Sequence, residues 1–340
     1  MSSKSGNSTK FNKGIFGIHH VTAITSDPQK NIDFYTNILG LRFVKLTVNQ
    51  DDPTSYHLYY GDELGRPGTI LTFFHWPNLP RGHRGTSEVA ATSFLIPNDS
   101  IGYWIDRFTN QKIKFDGPTK RFGSEKVITF QDPDGLSLEL VAHESADNRK
   151  GNVWKGGPIP AKHSIRGFYS ITLSEVGYER TSSVLTDELG FIPARHEGGR
   201  FRYEIPAAAS TSPPVQVEET GERANIVDVL CLPDRRQAVM GTGSVHHVAF
   251  RTPTDEQQKI LRRNIVKAGL DATPVIDRFY FHSVYFREPG GVLFEIATNP
   301  PGFTVDEREE ELGTHLVLPP WLESVRKDLV KILPPVRLPK

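Results

Sequence analysis

Apolar and polar positions alternate with a period of two from residue 18 to 25, break at Ser26-Asp27-Pro28, and then recur every three to four residues through Ile32, Phe34, Tyr35, Ile38 and Leu39. The first pattern predicts a strand and the second an amphipathic helix, closed by Gly40 because glycine readily takes the left-handed backbone that ends helices. Strand patterns follow at 42–47, 56–60 and 69–74, so this segment reads as βαβββ. The order recurs three times. Unit two places strands at 91–96, 120–122, 126–130 and 137–141 around a helix near 101–108. Unit three has a strand at 168–173, a helix at 179–189 closed by Gly190, and strands at 191–196, 201–205 and 226–232. Unit four has a strand at 247–251, a helix at 256–268 closed by Gly269, and strands near 274–276, 283–287 and 292–297. An Asp-Pro-Asp-Gly turn at 132–135 and a Glu-Pro-Gly-Gly turn at 288–291 lead into the last strands of units two and four.

Four such repeats predict an α+β fold whose modules pair into two barrels. The expected organisation is a disordered arm at 1–14, a two-unit domain at 15–146, a second at 163–299, and a tail at 300–340. Within the tail, 321–333 reads as one amphipathic helix, and the acidic run 306–311 as a solvated face.

Charge narrows the partners. Forty Lys and Arg balance forty Asp and Glu, so no bulk field draws nucleic acid or an anionic membrane, and a small ligand is the expected partner. No apolar run approaches the ~18 residues of a membrane-spanning helix. The single Cys231, among Val229, Leu230 and Leu232, excludes an internal disulfide and reads as a strand residue. The chain is therefore expected in the cytoplasm, and the sequence leaves a homo-oligomer open.

The chemistry lies in a repeated pair, His19-His20-Val21 and His246-His247-Val248, the second followed by Gly291-Val292-Leu293-Phe294-Glu295. Strand alternation puts His20, Thr22 and Ile24 on one face and Val21 and Ala23 on the helix-covered other; by the same parity His247 shares the face of His20. His19 and His246 fall on the opposite face by this rule. Glu295 stands four residues after Gly291, as Glu139 does after Gly135 and Thr72 after Gly68. Units one and four thus supply His20, His247 and Glu295, whereas unit two has Glu139 with Thr92 and unit three Phe168 with Asp228. Two imidazoles and one carboxylate are the ligand set of a non-haem Fe(II) or Mn(II) site with open positions, and they require units one and four to share a cavity. A fourth ligand at Thr72 would have indicated a closed Lewis-acid site of the isomerase kind.

The residues around these positions carry a resemblance. His19-His20-Val21-Thr22, Tyr56-His57-Leu58-Tyr59-Tyr60 with Gly61-Asp62-Glu63-Leu64-Gly65, Pro67-Gly68-Thr69, Pro233-Asp234-Arg235-Arg236-Gln237, Pro289-Gly290-Gly291-Val292 and the tail 312–320 are together highly specific. From residue 15 to about 322 the chain resembles the vicinal-oxygen-chelate superfamily. Within it, the chain is similar to the hydroquinone-type ring-cleaving dioxygenases, those of the dichlorohydroquinone and MhqO-like kind. The resemblance implies a mononuclear Fe(II) enzyme, with Mn(II) as the alternative, that opens a hydroquinone or catechol ring with both atoms of O₂. It implies His20, His247 and Glu295 as ligands, and roles in catalysis for His19, Thr22, His246, Arg278 and Tyr285. The competing readings are a glyoxalase-like isomerase or lyase and a non-catalytic binder of aromatic compounds, since one fold hosts many functions.

Overall fold

The structure is a computed structural model and describes residues 14–206 and 224–339; the arm expected at 1–14 falls outside these but for Gly14. Unit one comprises β1 (Ile18–Thr25), α1 (Pro28–Asp33), β2 (Arg42–Val48), β3 (Tyr56–Gly61) and β4 (Ile70–His75). Unit two comprises β5 (Glu88–Ile96), α2 (Ile101–Asn110), β6 (Phe115–Arg121), β7 (Glu125–Gln131) and β8 (Ser137–Ala142). Unit three has β9 (Phe168–Glu175), α3 (Glu179–Ser183), β10 (Ile192–Glu197), β11 (Arg200–Glu204) and β12 (Ile226–Cys231). Unit four has β13 (Val245–Thr252), α4 (Asp255–Lys267), β14 (Ile276–Asp277), β15 (His282–Arg287) and β16 (Leu293–Thr298). Two of the helices, α1 and α4, start where the sequence supplies caps: Asp27 accepts from the backbone N–H of Gln29 and Lys30, and Thr254 from that of Gln257.

The strands form two curled eight-stranded sheets, each drawn from both halves of the chain. One runs β14-β15-β16-β13-β1-β4-β3-β2, uniting units one and four; the other runs β10-β11-β12-β9-β5-β8-β7-β6, uniting units two and three. The pairing required by the histidines is therefore present. On the convex side Val21 and Ala23 join Ile32, Tyr35 and Leu39 of the helical segment in the main core, as the alternation predicts. The concave side of the first sheet holds a smaller apolar cluster of Val44, Tyr59, Ile70, Ala249, Tyr280, Phe281 and Phe303.

Two expectations for the tail are corrected. Residues 321–333 do not form one helix: a 3₁₀ segment, Pro320–Val325, precedes α5 (Arg326–Ile332), because Val325 at φ −106° and ψ 7° leaves the helical conformation. Nor is the acidic run wholly solvated. Lys45 of β2 is fully buried, and its ammonium lies 2.6 Å from Asp306 and in contact with Glu307, while Tyr280 donates to Asp306 at 3.0 Å. A buried ammonium needs such counter-charges, so the start of the run is spent inside the protein.

The two turns of units two and four abut the helix of the preceding unit. Asp132 accepts from the Tyr35 hydroxyl at 3.0 Å, and Glu288 from the Thr181 hydroxyl at 2.7 Å. At the first contact Asp134 accepts from Thr25 at 2.6 Å; at the second, Gly290 replaces the acid and Glu175 fills the space, where a Cβ on Gly290 would lie 2.2 Å from its Oε2. Burial first, and the Glu288 carboxylate second, push the Glu175 carboxyl up to about 8. A folded pKa above the ordinary 4.5 means that the native state holds the extra proton. Its contribution to stability is complete below about pH 4.5 and lost as pH rises through 8. Glu175→Gln is therefore expected to raise Tm at pH 9 while changing it little at pH 5. Thermal melts across that range check it, and curves that stay parallel to the parent's would refute it. Asp132, pushed up to about 7 chiefly by burial, leaves a similar but lower-lying slope in both proteins.

Candidate metal centre

At the centre of the first sheet β1 and β13 run antiparallel, with Thr22 opposite His247 and His20 opposite Ala249. Each is flanked by a parallel partner, β4 placing Thr72 beside Thr22 and β16 placing Glu295 beside Ala249. Residues opposite one another share a face, so His20, His247 and Glu295 converge on the concave side. The Nε2 atoms of His20 and His247 are 3.2 Å apart, and Glu295 Oε2 lies 3.3 Å from the first and 3.0 Å from the second. All three side chains are buried.

Donors bound to one ion at roughly 2.1 Å cannot lie more than about 4.2 Å apart, and these three satisfy that limit. Their remaining valences are used elsewhere. Glu295 Oε1 accepts from Ser283 at 2.5 Å, and the Nδ1 atoms of His20 and His247 face those of His19 and His246 at 2.9 and 2.8 Å. With the two inner Nδ1 atoms as donors, two imidazole lone pairs and a carboxylate oxygen point at one spot, an arrangement that calls for a cation. Burial pushes the Glu295 carboxyl up, but the two histidines outweigh it and hold the group well below the usual carboxylate range. Burial, aided by His20, keeps His247 below the usual imidazole value despite Glu295, so the ring favours the neutral form that ligates metals.

The placing of His19 and His246 corrects the alternation rule. In the β1–β13 ladder Ile18 and His20 face Phe250 and Ala249, so His19 is an extra residue; Thr22 and Ala23 face His247 and Val245, so His246 is another. Each outer histidine is thus the bulged residue before His20 or His247, and a bulge re-aims side chains that strict alternation would send to the far face. His19 also packs edge-on to Phe281 at 5.0 Å, within the concave cluster. Burial first, then its inner neighbour, pushes each outer ring down, His246 to about 3.

A cavity opens from His20 and His247 past Tyr285 and Arg278. Tyr285 sits opposite Glu295 on β15, its ring 5.6 Å from that of His247. Burial and then the Glu295 charge push its phenol up, so it remains a donor. The Arg278 guanidinium lies 3.4 Å from the Tyr285 hydroxyl and grips Asp51 through two bonds of 2.9 Å. Thr22, unlike these, is not among the lining residues; it bonds Thr72 at 2.8 Å.

Sequence reasoning passed over His57, Tyr59, Phe74 and Phe281, which also line the wall, as do Asn49, Gln50 and Asp51. The Tyr59 hydroxyl meets His57 Nδ1 at 2.8 Å and His57 Nε2 meets Thr72 Oγ1 at 2.9 Å, continuing to Thr22. Their signal was the Tyr56-His57-Leu58-Tyr59-Tyr60 stretch, in which His57 and Tyr59 share a strand face. The chain also occupies Thr72, the place a fourth ligand would take.

The second sheet repeats the design with other residues. Its ladder bulges at Ala90 and Tyr169, so Ala91 and Ser170 take the places of His247 and His20, while Glu139 takes that of Glu295. Glu139 accepts from Ser93 at 2.6 Å and Arg121 at 2.9 Å. Beyond it Arg121 also pairs with Glu125, Arg202 with Glu125 and Asp228, and Arg200 with Asp228. Three guanidiniums and three carboxylates close on one another there, and among the described residues no metal-holding group forms in this sheet.

Residues 17–140 match the family described as the glyoxalase/bleomycin resistance protein/dioxygenase superfamily. Over 323 residues the chain is 40% identical to "Putative ring-cleaving dioxygenase MhqO" of Bacillus subtilis, covering 95% of this chain and 97% of that protein. The chain belongs to this superfamily. It is also 31% identical over 325 residues to the chlorohydroquinone/hydroquinone 1,2-dioxygenase of Sphingobium indicum, covering 93% of this chain and 95% of the relative. Among solved structures, a "putative dioxygenase" from Bacillus subtilis superposes with a TM-score of 0.87 at 39% identity, covering 96% of this chain and 99% of that one. Glyoxalase I from Zea mays, with a TM-score of 0.58 at 15% identity over 83% of this chain and 92% of its own, shares the superfamily's fold. Dioxygenases of the superfamily use a divalent metal, and among the described residues His20, His247 and Glu295 form a group able to hold one.

Proposed function

We propose that the protein is a ring-cleaving dioxygenase that opens a hydroquinone-type or catecholic ring with O₂, using a mononuclear Fe(II), with Mn(II) as the alternative, held by His20, His247 and Glu295. The observation that carries this reading is the convergence of three donors, two imidazoles and one carboxylate, on the wall of an aromatic-lined cavity. Near full-length identity to proteins named for ring cleavage supports it. When bound, the metal would acidify a substrate hydroxyl and offer adjacent positions to substrate and O₂. Phe74 and Phe281 would flank the ring, and Tyr285 would donate a hydrogen bond to the oxygen on which negative charge develops. Arg278, close to the Tyr285 hydroxyl, would reinforce that donor. His19 and His246 would fix the tautomer and orientation of the ligand rings, and either could hold or pass a proton through its Nδ1 contact. Thr72, whose hydroxyl is engaged by Thr22 and His57, leaves the set at three and argues against a four-ligand isomerase. A chain with one cysteine needs no oxidising compartment, which supports a cytoplasmic site of action.

Anaerobic reconstitution should give one equivalent of Fe(II) per chain. Admission of O₂ should then give substrate-dependent uptake of one O₂ per ring opened across a panel of hydroquinones and catechols. Turnover of a thiol hemithioacetal without O₂ uptake would overturn the reading in favour of an isomerase, and tight ring binding without either reaction in favour of a binding protein.

A further inference from the structure

Among the described residues lining the cavity, Arg278 is the only lysine or arginine. Its terminal fork is the natural receptor for a planar carboxylate, and it is filled: Nη1 and Nη2 each contact one oxygen of Asp51 at 2.9 Å. Asp51 comes from the β2–β3 loop of unit one and Arg278 from unit four, so the pair bridges the cavity lip. Gln50 strengthens the crossing by donating to the Arg278 carbonyl at 2.9 Å. The Asp51 side chain is 70% exposed, so this pair contributes little to stability. Its effect falls on what the cavity admits.

We propose that Asp51 sets the charge selectivity of the cavity: by occupying the carboxylate-binding fork of Arg278 it excludes rings that bear a carboxylate and admits uncharged diols. The identity of the ligand rests on the ring-cleavage reading above. A tethered carboxylate competes with an effective concentration in the millimolar range. An incoming anion at micromolar concentration would have to displace it, and would meet its repulsion if it did not. An uncharged diol faces neither obstacle, because the neutralised pair presents no net charge to it.

The test is anaerobic calorimetry on the Fe(II)-loaded protein with two matched probes, a hydroquinone carrying one carboxymethyl group and its neutral carboxamide. The parent should bind the carboxamide at least about tenfold more tightly than the acid. Asp51→Asn should narrow or invert that ratio by about tenfold or more through a gain for the acid, and Asp51→Ser should do the same. In the Asp51→Asn/Arg278→Gln double variant the gain should vanish, because it runs through the freed guanidinium. An unchanged ratio in both single variants, or a gain that survives loss of Arg278, overturns the assignment while leaving ring cleavage intact. A parent that binds neither the carboxamide nor unsubstituted hydroquinone overturns both.

Discussion

His20→Ala, His247→Ala and Glu295→Ala are each expected to abolish Fe(II) binding and O₂ uptake together. Groups that merely orient a ligand cost about 10- to 100-fold in metal affinity when removed, so deleting one of only three donors should exceed the upper figure. The donors lie 3.0 to 3.3 Å apart, and among the described residues no other carboxylate or imidazole joins the group: His57 is engaged with Thr72 and Tyr59. Glu139→Ala is the matched control, since it removes the equivalent acid of the second sheet and should leave metal content untouched. Metal analysis after gel filtration gives the answer. Full metal content in Glu295→Ala with loss in Glu139→Ala would show that the site lies in the wrong sheet.

Tyr285→Phe should keep its iron and lower kcat/KM by roughly 10- to 1000-fold, the scale of losing one preorganised donor. The substitution removes a single hydroxyl that burial holds protonated and that Arg278 approaches at 3.4 Å, while retaining the ring that packs at 5.6 Å from His247. Steady-state O₂ uptake at saturating O₂ with the variant fully metallated is the measurement. An unchanged kcat/KM would reduce Tyr285 to packing and remove it from the chemistry.

The convergence of His20, His247 and Glu295 was legible because period-two alternation and a fourfold repeat constrain it twice over: parity chose the inner histidine of each pair, and turn spacing chose Glu295. What alternation concealed was the outer pair. His19 and His246 are the extra residues of two symmetric bulges, and one inserted residue shifts the parity on which strict alternation depends. Contacts over long separations were equally hidden. Nothing local in Asp51 announces a partner 227 residues away, and nothing in the acidic run says that Lys45 will bury itself against Asp306. The helix at 321–333 failed for the opposite reason, since its apolar spacing was sound but Val325 interrupts the backbone.

The closed ion-pair face of the second sheet bears on how such a chain can change. Two halves of one build differ in what they place at equivalent positions: Ala91 and Ser170 in one, His247 and His20 in the other. Substitutions accumulating among Arg121, Glu125, Arg200, Arg202 and Asp228 would be filtered by mutual charge balance rather than by any substrate. In that half Glu139 stands where Glu295 does, but Ser93 and Arg121 already engage it, so histidines at positions 91 and 170 would not by themselves open a second centre.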